Sequence, residues 1–225
     1  MKKLLLFFSA SFSLLMTGVL LNDNFCINKL LLLIVGTFCG MILIYDIKPV
    51  DKNNGFFNKV IGYLRYYKHS IFIVLLVILI PVGYNYLSMV SFVAFAISGI
   101  LGVAYSVTVK LGKSKFRLKE VFLVKNLLIG LGWGLLVTAG AGSLENDIVV
   151  LVTIFASIQV LIGSTVRDLF DKEIDKVNRV KTLPVIFGRQ MTLIILQLIN
   201  FSSFILLLFS DQNLNFIILL TVVVL

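Results

Sequence analysis

Long apolar runs at about 4–21, 30–45, 71–87, 89–109, 120–140, 148–166 and 191–209 alternate with short polar connections along the chain, and a further run occupies 214–225. Most reach the roughly 17–25 residues that a helix needs to cross a bilayer. Lipid offers the backbone no hydrogen-bond partners, so each run must satisfy its own N–H and C=O groups, which an α-helix does. The pattern therefore predicts an all-α, multi-span transmembrane bundle with seven to eight spans visible in a single domain over 1–225. At 1.5 Å per residue the last run reaches only about 18 Å, short of a hydrocarbon core of about 30 Å.

Composition agrees: 59% of the residues are hydrophobic, 14% are charged, and the mean hydropathy is +1.05. The formal charge of +9 does not point to nucleic acid, because the Lys and Arg residues lie between apolar runs instead of forming a soluble basic face. They report orientation. Lys2 and Lys3, then Lys48, Lys52, Lys59, Arg65 and Lys68, then Lys110 to Lys119, then Arg167 to Arg189 fall on alternate connections. The opposite connections carry Asp23, Glu145, Asp147 and Asp211, with Lys29 as their cation. By the positive-inside rule, segments 46–70, 110–119 and 167–190 face the cytoplasm.

Isolated Cys26 and Cys39 form no metal or disulfide pattern, and His69 borders an apolar run without partners. Met1–Leu21 has a basic start and an apolar stretch, but no small-residue cleavage site precedes Asn22, so it is read as an uncleaved first span.

The most charged stretch is RDLFDKEIDKVNRVKTLPVIFG, from Arg167 to Gly188. Its Asp168, Asp171 and Asp175 stand at i, i+3 and i+7, which places three carboxylates on one helical face. Two like charges about 4 Å apart repel by roughly 4 kcal/mol at an effective dielectric of 20. A divalent cation reverses that repulsion, and Mg²⁺ is the hard ion that takes one or two carboxylates together with substrate phosphates. The competing reading is a solvated helix whose acids are offset by Lys172, Lys176 and Arg179. The membrane-mouth position and the cations that follow, Lys181 and Arg189, favour an anionic phosphate ligand. Lys125 and Asn126, just inside an apolar run, either face the bundle interior or, for the lysine, snorkel to the interface.

The run RDxxDxxxD followed by KTLPVIFG resembles the second aspartate motif of the UbiA superfamily of intramembrane prenyltransferases, which includes 4-hydroxybenzoate polyprenyltransferase-like proteins. Tyr105-Ser106, the basic segment to Lys119, and LVKNLLIGLGWG with Lys125, Asn126 and Trp133 are similar to the segment joining that superfamily's central helices. The resemblance covers roughly residues 40–190. It implies a bundle, usually of nine spans, with a cavity opening to the cytoplasmic side, and a Mg²⁺-dependent transfer of an isoprenyl group from an isoprenyl diphosphate to an aromatic or lipid acceptor. It also implies Asp168 and Asp171 as catalytic residues and Asp168, Asp171 and Asp175 as metal ligands. Lys119, Lys181, Arg167, Lys110 and Arg117 would contact the diphosphate, while Tyr105, Lys125 and Asn126 would line the cavity. The first motif departs from the family's NDxxDxxxD: the chain reads IYDIKPVDKNNG, with Pro49 between the candidate metal ligands Asp46 and Asp51. Asp46 is expected to be an inner ligand and Asp51 an outer one. The alternatives are a catalytically degenerate member that binds lipid or a partner protein, and a small transporter.

Overall fold

A computed structural model describes residues 2–21, 27–44, 77, 81–106, 108–111, 114–117, 121–178 and 180–208. Among them run six long helices: α1 (Lys2–Leu20), α2 (Ile27–Ile44), α3 (Met89–Ser106), α4 (Val124–Ala141), α5 (Asp147–Val177) and α6 (Leu183–Leu208). A further helical turn occupies 81–86. Most of the predicted run at 71–87, all of that at 214–225, and Cys26 and His69 lie outside the described residues. Among the described residues α4, α5 and residues Leu183–Leu206 of α6 are long and apolar enough to cross a membrane, and shorter apolar helices occupy α1, α2 and α3.

The predicted basic connection after α3 is not all loop. Strands β1 (Thr108–Leu111) and β2 (Ser114–Arg117) pair antiparallel, with Thr108 opposite Arg117 and Lys110 opposite Lys115. Among the described residues this small hairpin is the one departure from helical regular structure.

Helix α4 is the hub, touching α1, α3 and α5, and its glycines make that possible. A Cβ at Gly140 would collide with the Leu15 carbonyl of α1, and one at Gly18 of α1 would collide with the Val137 carbonyl of α4. On another side, Gly130 and Gly134 lie against the α5 backbone at Ser157 and Thr153. Close backbone approach of this kind drives helix association where lipid removes the hydrophobic incentive. Hydroxyls reinforce it: Ser91 Oγ donates to the Ala139 carbonyl (2.8 Å), Ser88 Oγ donates to the Gly142 carbonyl (2.7 Å), and the Thr138 and Thr153 hydroxyls bond to each other (2.8 Å). The core around these contacts joins Leu14 and Leu15 of α1, Leu33 of α2, Ala94 of α3, Leu136 and Val137 of α4, and Val152 and Phe155 of α5.

Helix α4 ends at Gly142, whose φ of 78° is the left-handed C-cap that glycine adopts without a Cβ penalty. Asn146 then caps α5, its side chain accepting from the Ile148 N–H (2.9 Å). The 31 residues of α5 extend about 46 Å, beyond a hydrocarbon core of about 30 Å. The apolar part ends at Val166, and Arg167–Val177 continues the same helix for about 16 Å. The segment predicted as connection 167–190 is therefore helical as far as Val177. Asp147 in the first turn and Lys176 in the last complement the helix dipole and favour this continuation.

Candidate active site

Because α4 and α5 run antiparallel, the start of α4 meets the charged end of α5. Asp168 lies there at 1% exposure. Its Oδ1 accepts from the Lys125 ammonium (2.5 Å) and its Oδ2 from the Asn126 amide (3.1 Å). The same Asn126 Nδ2 donates to Thr165 Oγ1 (3.0 Å), one turn back along α5. Thr165 spends its own proton on the Leu161 carbonyl (2.9 Å), so its oxygen can only accept. A carboxylate also only accepts, and both neighbours therefore require the NH₂ end of the Asn126 amide.

The three aspartates share a face, as their spacing predicts, but their surroundings differ. Asp168 is buried, while Asp171 and Asp175 are half-buried nearer the mouth. Lys125, Asp168 and Asp171 all lie within coulombic reach of Asp175, which makes the four charges one cluster. The opposite face of this extension carries exposed Phe170, Ile174 and Val177.

Beyond α5 the chain turns at Asn178 and tucks back. Val180 N–H donates to the Asp175 carbonyl (2.8 Å), and Thr182, Leu183 and Pro184 are buried. The Thr182 carbonyl accepts from the Val185 and Ile186 N–H groups, opening α6 with Pro184 in the first turn, where its missing N–H costs nothing. Four residues after Pro184, Gly188 (φ 77°, ψ 172°) breaks the helix in a conformation essentially restricted to glycine. The short segment between Pro184 and this kink carries Phe187, which packs on Phe122 just ahead of α4 (ring centroids 6.3 Å apart). The KTLPVIFG stretch thus folds the start of α6 onto the entrance of α4.

Arg167 and Lys181 are exposed beside the aspartates, and Tyr105 is half-buried at the adjoining end of α3. Lys110 and Arg117 lie on the two strands of the hairpin that leads into α4. Asp46, Asp51 and Lys119 lie outside the described residues. Thr165 was not singled out, although it stands one turn before Asp168 on the same face; a hydroxyl within an apolar run reads as packing until its partner on α4 is known.

Two buried oxygens in this region, Asp175 Oδ2 and Asn126 Oδ1, have no hydrogen-bond partner. Thr182 lies beside Asp175, yet its Oγ1 also lacks a bond of good geometry. Oxygen donors of this kind suit Mg²⁺. Among the described residues no group of three or more His, Cys, Asp or Glu is gathered to hold a metal alone. The donor set fits an ion that takes one or two carboxylates and completes its shell with phosphate and water.

A family model, the UbiA prenyltransferase family, matches residues 68–225, well over half of the chain. The chain belongs to the UbiA prenyltransferase family. That match begins beyond Asp46 and Asp51 and contains the whole Lys125–Asp168 cluster. The chain is also similar to a solved structure described as a UbiA homolog from Archaeoglobus fulgidus bound to DMAPP and Mg²⁺. The two share 14% identity and a TM-score of 0.66, over 99% of this chain and 82% of that one. A likeness at this identity establishes the shared fold. Comparison with curated protein sequences finds no match. Family membership and the apolar helices together make this an integral membrane protein.

Proposed function

We propose that the protein transfers an isoprenyl group from an isoprenyl diphosphate to an aromatic or lipid acceptor, with Mg²⁺, at the cytoplasmic mouth of the bundle. The observation that carries this reading is the acid face of α5 at the end of an apolar span, facing a cation on α4. A substrate with an anionic head and an apolar tail matches that division. The archaeal relative's bound DMAPP and Mg²⁺ support the same substrate class.

In this reading the allylic C–O bond breaks, its electron pair leaves with the diphosphate, and the acceptor forms the new bond to carbon and gives up a proton. Asp171 and Asp175, with Asp168 behind them, would hold Mg²⁺, which when bound would neutralise charge on the departing diphosphate. Lys181, Arg167, Lys110, Arg117 and Lys119 are its candidate cationic partners. Asp46 and Asp51 are further candidate oxygen donors to the same ion. Tyr105, Lys125 and Asn126 line the entrance from α3 and α4.

The test is a lipid-soluble product from membranes containing the protein, given labelled isoprenyl diphosphates of several lengths and a panel of aromatic and lipid acceptors. Product should form with Mg²⁺ and disappear with EDTA. A second reading, a catalytically degenerate member that binds lipid or a partner protein without turnover, is favoured by the family match beginning after the irregular first motif. Saturable binding of the labelled diphosphate with no product from any acceptor would select it.

A further inference from the structure

Lys125 occupies an unfavourable place for a cation. It is the second residue of α4, in the first turn, where the helix dipole is positive and an acid is preferred. Asp168 offsets this by accepting from its ammonium. Asp168 itself is fixed: it is buried, and its second oxygen is held by an Asn126 amide whose orientation Thr165 dictates. Lys125 is the movable partner. Its side chain is 21% exposed, against 1% for Asp168, and it ends in a point charge on a flexible stem. The same ammonium lies within coulombic reach of Asp175, whose Oδ2 is buried without a partner. This ammonium thus faces two carboxylates, Asp168 and Asp175, and Asp171 acts on the second of them.

We propose that Lys125 is the resident counter-cation of the aspartate face, and that it exchanges from Asp168 to the substrate's diphosphate when metal and substrate bind. This rests on the function proposed above and adds a substrate-binding role for Lys125. A divalent ion near Asp171 and Asp175 repels the ammonium and removes its reason to stay. The incoming diphosphate offers it new oxygens at the same mouth. The exchange keeps the acids neutralised in the empty protein and delivers a positive charge to the leaving group in the loaded one.

The experiment uses the full chain in detergent, with Mn²⁺ as a paramagnetic probe followed by EPR and inorganic diphosphate as the anion. Lys125→Met should bind Mn²⁺ alone about tenfold more tightly, since one competing positive charge is gone, and should bind diphosphate in the presence of Mn²⁺ about tenfold more weakly. Lys125→Arg should stay near wild type on both measures. A folded Lys125→Met protein with unchanged or weaker Mn²⁺ affinity overturns the proposal and leaves the pair a structural salt bridge. Because that variant removes one partner of an ion pair, wild type supplies a second measurement: reductive methylation of Lys125, read by mass spectrometry. Its rate should rise with Mn²⁺ alone and fall when diphosphate is added. A rate indifferent to both overturns the exchange even if the variant fails to fold. Absence of any Mn²⁺-dependent diphosphate binding by wild type would instead overturn the functional reading beneath it.

Discussion

Asp168 and Asp171 look equivalent in the sequence, three residues apart with the same chemistry, but their surroundings give them different tasks. Asp168 is tied to Lys125, Asn126 and, through Asn126, to Thr165. Asp168→Asn leaves the Lys125 ammonium without its counter-charge. Breaking a buried pair typically costs about 3–5 kcal/mol, and the 21% exposure of Lys125 argues for the low end or somewhat below. Asp171, half-buried at the mouth, is outside that network. Asp171→Asn should therefore leave thermal unfolding in detergent nearly unchanged while lowering prenyl transfer at least about a hundredfold, the scale of losing one transition-state charge stabiliser. Asp168→Asn should lower both the melting temperature and turnover. If both variants melted like wild type and kept full activity, the cluster would have no catalytic role. Thr165 belongs to this scale too: Thr165→Val removes the acceptor that orients Asn126 and should cost about 1 kcal/mol, which Thr165→Ser should restore.

Among the elements, α4 and α5 carry the candidate site because they approach closely along their length. Gly134 marks one such close approach: a Cβ there would overlap Ser157 Oγ and lie 2.8 Å from the Thr153 carbonyl. Gly134→Ala should destabilise the protein by about 1–3 kcal/mol, the usual cost of overpacking. Adding Ser157→Gly should recover only part of the loss, because the backbone carbonyl cannot withdraw; full recovery would mean that the serine alone sets the spacing. Much of this organisation was legible in advance. The spacing of Asp168, Asp171 and Asp175 reads as one helical face, and the apolar runs read as helices, because both signals are local and periodic. What was not legible is that this acidic helix continues the apolar one without a break as far as Val177, since the apolar signal ends at Val166 and a charged stretch beyond it looks like a separate connection. The β1–β2 hairpin was hidden for a related reason: Lys110 to Lys119 reads as topology by its charge, and the alternation of Val109 and Leu111 on β1, with Phe116 paired to Val109, covers only four residues per strand. The bond from Asn126 to Asp168 joins residues 42 apart in sequence and depends on how α4 and α5 pack.

At the scale of the whole molecule, the antiparallel run of α4 into α5 fixes two ends. Phe122, Lys125, Asp168, Asn178 and the start of α6 gather at one, while Gly142, Glu145 and Asp147 gather at the other. The first end carries Arg167, Lys172, Lys176, Lys181 and Arg189, while the second carries Glu145 and Asp147 with Lys29 nearby, so the positive-inside rule predicts that the aspartate end faces the cytoplasm. Asn178 and Glu145 are both exposed and lie at opposite ends of α5, which makes them reporters of opposite membrane faces. In a background with Cys26 and Cys39 replaced by alanine, Asn178→Cys should resist an impermeant thiol reagent in intact cells and react once the membrane is opened. Glu145→Cys should react from outside without opening. On the proposed function, an isoprenyl diphosphate supplied from the cytoplasm would meet the aspartates only in this orientation. Labelling of Asn178→Cys from outside, together with protection of Glu145→Cys, would reverse the topology and put the acid face out of reach of a cytoplasmic substrate.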